Sequence, residues 1–454
     1  MKKILVIGAG RSAVTLIKYL LDNSAANNWQ VTVADFSEDL AKQAVDSHTN
    51  GKAIFFNVTD EKQREKEIAD ADIAISMLPA NLHITVAKDC VRLKKNLVTA
   101  SYVSEEIAEL DESAKQAGVL LLNEIGLDPG IDHMSAMQVI DEIKENGGEL
   151  TSFKSFCGGL VHPDYDNNPW NYKFTWNPRN VVLAGQGTAQ YIENGDYKYI
   201  PYTSLFERTE HMEVLDAGEF EGYANRDSLS YRKSYGLDDI PTLFRGTLRR
   251  KGYSEAWNIF VQLGMTDDTY KLENSASITN REFINMFLSF DDALTVEEKL
   301  CKQFSLTTDS VIFQKIAWLS TFSENKVGIE NASPAQILQK ICEEKWTLGA
   351  EDKDMIVMQH QFEYMQNGQQ KKLNSSLVVF GDDPRFTAMA KTVGLPVAIA
   401  TLKILNKEIT TPGVQLPITK EVYAPILKEL EQYGIEFKEK KVPYLGYNPE
   451  NVIG

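Results

Sequence analysis

The sequence predicts an α/β protein: a Rossmann dinucleotide-binding domain, a second α+β domain, and a C-terminal segment that returns to the first. Three observations predict it. An apolar strand, Ile4 to Ile7, runs directly into Gly8-Ala9-Gly10-Arg11-Ser12-Ala13 and an apolar helix pattern. Strands and helices then alternate to about residue 130, and from about residue 150 the texture changes to aromatic-rich, strand-like segments broken by Pro, Gly and Asn. The expected boundaries are 1–130, 131–385 and 386–454.

The first element has the form G-x-G-x-x-A. Gly8 and Gly10 allow the tight turn and the close approach of a pyrophosphate, with Arg11, Ser12 and Ala13 opening the helix beneath it. The second strand, "VTVADF", ends in Asp35, where the fingerprint expects an acid for the ribose hydroxyls. A carboxylate there repels a 2′-phosphate and Phe36 supplies no cation to receive one, so the residues favour NAD, with NADP possible because Arg11 could swing toward a phosphate. The next strands are "AIFFNVTD", "ADIAISMLPAN" and "KNLVTASYVS". Their ends place Asn57 and Val58 beside an adenine, and Ser76, Met77, Leu78 and Pro79 near ribose and nicotinamide. Thr99, Ala100, Ser101 and Tyr102 fall where hydride moves. Leu78 and Pro79 fit a strand-ending turn equally well, and Tyr102 could simply pack at a loop base.

The last strand of this half, in "VLLLNEIGLDPGIDH", ends abruptly in a loop carrying Glu124, Asp128, Asp132 and His133. Acids released at the carboxyl end of a buried parallel strand face any ligand bound there. Asp128-Pro129 also reads as a helix start, with the carboxylate as N-cap and proline at the first helical position. Capping accounts for Asp128 and leaves the other acids and the imidazole unexplained.

At 454 residues the chain exceeds one core, and 43% hydrophobic with 24% charged residues is ordinary for a folded protein. A net charge of -17 argues against nucleic acid, which needs clustered cations, while a basic pocket for an anionic small molecule stays open. No apolar stretch approaches the roughly 20 residues of a membrane helix, and the N-terminus enters a strand without a signal pattern, so no membrane partner and a cytoplasmic location are expected. Cys90, Cys157, Cys301 and Cys342 are too scattered for a metal site or a disulfide framework.

In the middle of the chain, Cys157 before Gly158-Gly159, Arg226 in "NRDS", and Thr247, Leu248 and Arg249 after Gly246 attract notice. Cys157 suits a small buried apolar position better than a reactive one, and arginines of this kind are more often solvated surface charges. After Glu282 the pattern turns helical in "REFINMFLSF", "VEEKLCKQF" and "SPAQILQKICEEKW", and "VGLPVAIATLKIL" reads as an apolar helix packing back on the first domain.

With "VTASYVS", "NEIGLDPGIDH", "FCGGL", "NPWNYKFTW", "NRDS", "FRGTLR" and "TVGLPVAIATLKIL" in view, the chain resembles the glutamate-forming saccharopine dehydrogenases along essentially its whole length. The resemblance implies reversible oxidation of saccharopine, a secondary amine with three carboxylates, to L-glutamate and 2-aminoadipate 6-semialdehyde in lysine metabolism. It implies substrate contacts at Ser101, Tyr102, Asp128, Arg226, Thr247, Leu248 and Arg249, a cofactor contact at Trp176, and acid-base candidates in Tyr102, Asp128 and Cys157. It also implies a 131–385 domain that mediates homodimerisation, and a C-terminal segment that returns to the first domain. Fungal members carry Cys-Arg where this chain has Asp35-Phe36, a departure that again favours NAD. The alternatives are a carboxynorspermidine-type reductase on a similar scaffold, or a catalytically silent NAD-binding sensor.

Overall fold

The structure is a computed structural model and describes residues 1–443. Two compact units divide the chain: Met1–Gly148 with Val379–Lys438, and Glu149–Val378 with residues 439–443.

The first unit is a parallel sheet. Its strands are β1 (Lys2–Ile7), β2 (Trp29–Asp35), β3 (Gly51–Phe55), β4 (Ile73–Ser76), β5 (Asn96–Thr99) and β6 (Leu120–Leu122). A late strand, Gly413–Gln415, pairs in parallel with β6. The spatial order is Gly413–Gln415, β6, β5, β4, β1, β2, β3. β1 therefore pairs with β2 on one side and β4 on the other, which makes its carboxyl end the point where the strand order reverses. Apolar runs such as "ILVI" and "LLL" are buried along their length because helices cover both faces of such a sheet.

Four of the unit's helices shape the sheet's carboxyl edge and its packing. α1 (Val14–Asp22) continues from a single 3-10 turn, Arg11–Ala13; α2 (His83–Leu93) follows β4; and α3 (Ile131–Glu145) follows β6. The fourth, α4 (Ala388–Leu405), packs on α1. Gly394 makes that packing close: a Cβ there would sit 2.8 Å from the backbone nitrogen of Leu16 and 3.2 Å from the carbonyl oxygen of Ser12. Contrary to expectation, α4 is long and apolar enough to cross a bilayer, yet 72% of it is buried inside the protein as a core helix.

Three boundaries are corrected. α3 belongs to the first unit, not to a domain beginning at 131, because Tyr423 donates to Asp141 at 2.7 Å and Lys420 pairs with Glu145 at 2.8 Å, both from the helix Lys420–Leu430 packed on it. The second crossover falls at Val378/Val379 rather than 385. The returning segment is also not wholly with the first unit, since Lys438–Val442 adds a strand to the second sheet. Positions 444–454 of the expected segment lie outside the described residues.

The second unit holds a mixed sheet of β7 (Glu149–Val161), β8 (Ala189–Glu193), β9 (Asp196–Ile200), β10 (Thr209–Glu213), β11 (Glu219–Ala224), β12 (Thr242–Arg250), β13 (Asp354–Gln366) and β14 (Gln369–Phe380), in the order β10-β11-β12-β7-β13-β14 with β8 and β9 to one side of β12. The helices expected after Glu282 are present as Asn280–Asn285, Val296–Phe304 and Pro334–Trp346, each with a Thr or Ser capping box. The long strands β13 and β14 depart from the helical expectation for this region. Seven consecutive residues of β13, Asp354–His360, are buried, so its sequence lacks the alternation that marks a half-exposed strand.

Filling the α1–α4 contact should destabilise the first unit. Gly394→Val is expected to cost about 1–3 kcal/mol by overpacking against backbone that cannot retreat. Urea unfolding checks this, and an unchanged midpoint would show that the helices have room there.

Candidate active site

The glycine turn fits a dinucleotide in two distinct ways. Gly8 has φ +105°, and a Cβ there would lie 2.8 Å from the carbonyl oxygen of Met77, so conformation and space both exclude a side chain. At Gly10 a Cβ would meet nothing within 4 Å, which leaves an open approach to the turn Arg11–Ala13. Arg11 is exposed, Ser12 half-buried and Ala13 buried. Asp35, at the end of β2, accepts from the backbone N–H of Ala9 at 2.7 Å and of Ser37 at 2.8 Å. Its carboxylate thereby ties the glycine turn to the strand end where ribose hydroxyls are expected. Phe36 is 72% exposed and packs on Phe55, with ring centroids 5.5 Å apart.

The remaining cofactor residues divide by exposure. Asn57 accepts from Thr59, and Val58 offers its carbonyl to Arg64, both from half-buried positions. Met77 and Leu78 are half-buried and Pro79 is exposed, where it precedes the 3-10 turn Ala80–Leu82. Ser76 and Thr99 differ from expectation. They are 0% and 1% exposed, and their hydroxyls turn inward to the ring of His83 at 2.8 Å and 3.5 Å instead of outward to a ligand.

His83 carries no signal in the sequence, where it stands in the unexceptional stretch "LPANLHI". It is 1% exposed, and its Nε2 lies 2.7 Å from the Ser101 hydroxyl. Burial lowers its pKa from 6.5 to about 4, so the ring is neutral at physiological pH.

The loop after β6 gives its acids and imidazole distinct tasks. Glu124 adopts a left-handed conformation, φ +56°, and its side chain bridges inward. One oxygen accepts from the backbone N–H of Val103 at 2.9 Å, and the other meets His133 Nε2 at 2.8 Å. The backbone N–H of Glu124 also donates to the Ser101 carbonyl at 3.0 Å. Glu124 thus brackets Tyr102 from both sides, and the 52% exposed phenol stands 3.5 Å from Asp128 Oδ1. That separation is at the outer limit of a hydrogen bond.

Asp128 does not cap the helix. Gly126 N–H donates to Pro129 carbonyl at 2.9 Å, the Asp128–Pro129 peptide is cis, and α3 starts only at Ile131 with Gly130 as N-cap. At Gly130, φ +147°, a Cβ would collide with Gly126 backbone at 2.1 Å, so the loop folds back on itself at a glycine. Asp132 accepts from Gly130 N–H at 2.6 Å and takes the first turn of the helix. Asp128 is left at the loop's tip beside Tyr102.

In the second unit, register places Cys157 on β7 opposite Thr247 on β12 and Met358 on β13. Thr247 donates to Asn225 Oδ1 at 2.7 Å, one residue before exposed Arg226, whose Nε donates to the Gln186 carbonyl at 3.0 Å. Arg249 is 3% exposed. Its guanidinium lies over the rings of Tyr172, Tyr253 and Tyr223 at 4.9, 5.3 and 5.7 Å, donates to the Leu248 carbonyl, and leaves Nε without a hydrogen-bond partner among the described residues. Burial works against the charge, and the neighbouring phenols outweigh it, so the pKa is raised. This tyrosine cage had no sequence signal, because its rings come from separate segments. At Leu248 the side chain, 0% exposed, turns into the hydrophobic core by alternation along β12, so only its backbone is left to face a ligand. Trp176 is 36% exposed, just before the short helix Pro178–Val182. Among the described residues no cluster of His, Cys, Asp or Glu could hold a metal ion.

The buried ring of His83 predicts an acid-sensitive fold. The unfolded chain takes up a proton at this ring near 6.5, whereas the folded chain accepts it only near 4, so falling pH across that window favours unfolding by roughly 3 kcal/mol. Compared with His83→Gln, which cannot titrate, the wild type should lose that much stability between pH 7 and 4 in urea unfolding. Parallel curves for the two proteins would contradict a buried neutral ring.

Comparison with known proteins identifies the family. Residues 4–122 match the family model described as "Saccharopine dehydrogenase NADP binding domain", and residues 126–435 match "Saccharopine dehydrogenase C-terminal domain". The saccharopine dehydrogenase [NADP(+), L-glutamate-forming] of Saccharomyces cerevisiae is 35% identical over 97% of this chain and 99% of its own length. The mitochondrial alpha-aminoadipic semialdehyde synthase of Rattus norvegicus is 37% identical over 96% of this chain, which spans 47% of that longer protein, so the chain is about half the length of such relatives. The apo, histidine-tagged saccharopine dehydrogenase (L-Glu forming) from Saccharomyces cerevisiae superimposes with a TM-score of 0.89 at 34% identity, covering 98% of this chain and 100% of that one. With the two family models together matching residues 4–122 and 126–435, and 99% of the yeast protein's length covered at 35% identity, the chain belongs to the saccharopine dehydrogenase family.

Proposed function

We propose that this chain is a nicotinamide-dependent oxidoreductase that interconverts saccharopine with L-glutamate and 2-aminoadipate 6-semialdehyde. The observation that carries the reading is the end-to-end likeness to the yeast enzyme, which leaves no domain of that enzyme unmatched. The same likeness disfavours a carboxynorspermidine-type reductase.

The residues suit such a substrate. Saccharopine carries three carboxylates, a primary amine and the secondary amine that is oxidised. Arg249, a buried guanidinium with Nε unpartnered among the described residues, is a ready carboxylate receptor, since its fork matches two oxygens and no acid among the described residues pairs with it. Arg226 offers a second, exposed cation, and Thr247 a hydroxyl. Tyr102 beside Asp128 offers a phenol and a carboxylate for an amine: Asp128 holds the ammonium form, and Tyr102 can pass a proton at its hydroxyl as the amine changes charge. A nicotinamide bound at the glycine turn supplies the hydride acceptor. Water then adds to the resulting substrate imine and releases the two amino acid products. Cys157 is a further acid-base candidate from its register beside Thr247, although burial makes it the less accessible group.

The finer cofactor preference we propose is NAD. The family model and the yeast relatives carry NADP in their names, whereas this chain places the carboxylate of Asp35 and the uncharged ring of Phe36 where a 2′-phosphate would need a cation. Assembly as a homodimer and a cytosolic location belong to the same proposal, the first resting on family resemblance and the second on composition.

Two measurements test the reading. With saccharopine present, absorbance of reduced nicotinamide should rise, faster with NAD than NADP, and Asp35→Ala with Phe36→Arg should reverse the order. No rise with either nucleotide, despite demonstrated binding, would favour the silent sensor; a wild type that prefers NADP would sink the role given to Asp35. Arg249→Ala should weaken saccharopine binding by roughly 2–5 kcal/mol, because a charged group of the ligand loses its partner. An unchanged KM in that variant would remove Arg249 from the site.

A further inference from the structure

His83 is a buried titratable group that the proposed chemistry does not use. It sits at the first position of α2, between the ends of β4 and β5, with three hydroxyls around its ring. A neutral imidazole donates from one nitrogen and accepts at the other, so the tautomer decides what each neighbour must do.

Hydrogen-bond requirements at Nδ1 resolve the choice. The Ser76 hydroxyl is fully buried, and the Nδ1 atom 2.8 Å away is its one side-chain hydrogen-bond partner among the described residues. Protonated Nδ1 would leave the Ser76 hydrogen without an acceptor inside the protein, which buried hydroxyls avoid. Thr99 is compatible with this: its Oγ1 accepts from the Ser101 backbone N–H at 3.3 Å, and its own hydrogen is available to Nδ1, 3.5 Å distant. The Ser76 hydroxyl requires an acceptor, and Nδ1 is the atom placed to accept.

We propose that His83 is a positioning residue locked as the Nε2–H tautomer, donating to Ser101 Oγ at 2.7 Å, so that half-buried Ser101 presents its own hydroxyl hydrogen outward as a donor to a carboxylate oxygen of the substrate. Ser76, Thr99 and His83 form an inner layer that fixes the polarity of one hydroxyl at the neck of the Tyr102 loop. Burial of the ring keeps this polarity constant, because the imidazole does not take a second proton near neutrality. The substrate half of this inference rests on the saccharopine reading; the tautomer does not.

The test uses the full chain with its histidine rings labelled with nitrogen-15, and His83→Gln to identify the His83 signals among the six histidines. The expected spectrum has a protonated Nε2 and an unprotonated Nδ1 from pH 6 to 8. Protonation at Nδ1, or titration near the ordinary histidine value, would overturn the tautomer whatever the substrate is. In the saccharopine assay, Ser76→Ala should raise KM several-fold more than it lowers kcat, and Ser76→Thr should recover most of that loss. An unaltered KM in Ser76→Ala would overturn the positioning role while leaving the tautomer and the enzyme's activity standing.

Discussion

Every strand of the first unit's sheet runs the same way, so all of its carboxyl ends open along one edge, and the polar groups released there must be satisfied. That constraint organises the site. At β2 the Asp35 carboxylate ties down the glycine turn; at β4 and β5, Ser76 and Thr99 close on His83; at β6, Glu124 turns back to hold both the Tyr102 loop and His133. These contacts are local to one edge, and Ser76, Thr99, His83, Glu124 and His133 are buried. Removing one partner of such a pair leaves the other uncompensated in a low-dielectric interior, which is why these positions act as scaffolding for the exposed groups beside them.

A division of labour results. Tyr102 is exposed and Asp128 half-buried beside it, flanked by hidden residues, and neither has a positive φ. The strain sits instead at Glu124, a non-glycine residue at positive φ whose backbone and both carboxylate oxygens are bonded. Asp132 and Gly130 start the following helix, which frees Asp128 from a capping duty.

The second unit solves the opposite electrostatic problem. In a chain with a net charge of -17, Arg249 is buried with no carboxylate paired to it among the described residues, stabilised by the faces of Tyr172, Tyr223 and Tyr253. Quadrupole attraction holds a cation without neutralising it, so the positive potential stays available to an anionic ligand. A salt bridge in the same place would have been quenched, as Lys173 is by Asp352 at 2.6 Å.

By itself the sequence determined the parallel sheet, the glycine turn, the acid after the second strand and the short helices, because each is a local pattern with a local cause: an apolar run, a turn that needs glycine, a Thr or Ser cap. Its long family motifs also named Tyr102, Asp128 and Arg249 in advance of any geometry. Tertiary structure alone decided the rest. β13 was illegible because burial on both faces erases the two-residue alternation, and Asp128 was misread as a cap because an Asp-Pro turn and a helix start look alike until Gly126 closes on Pro129. The inward turn of Ser76, Thr99 and Leu248, the hydroxyl cage of His83 and the tyrosine cage of Arg249 join residues distant in sequence. Their roles depend on which face of a strand meets which neighbour, and no local pattern carries that information.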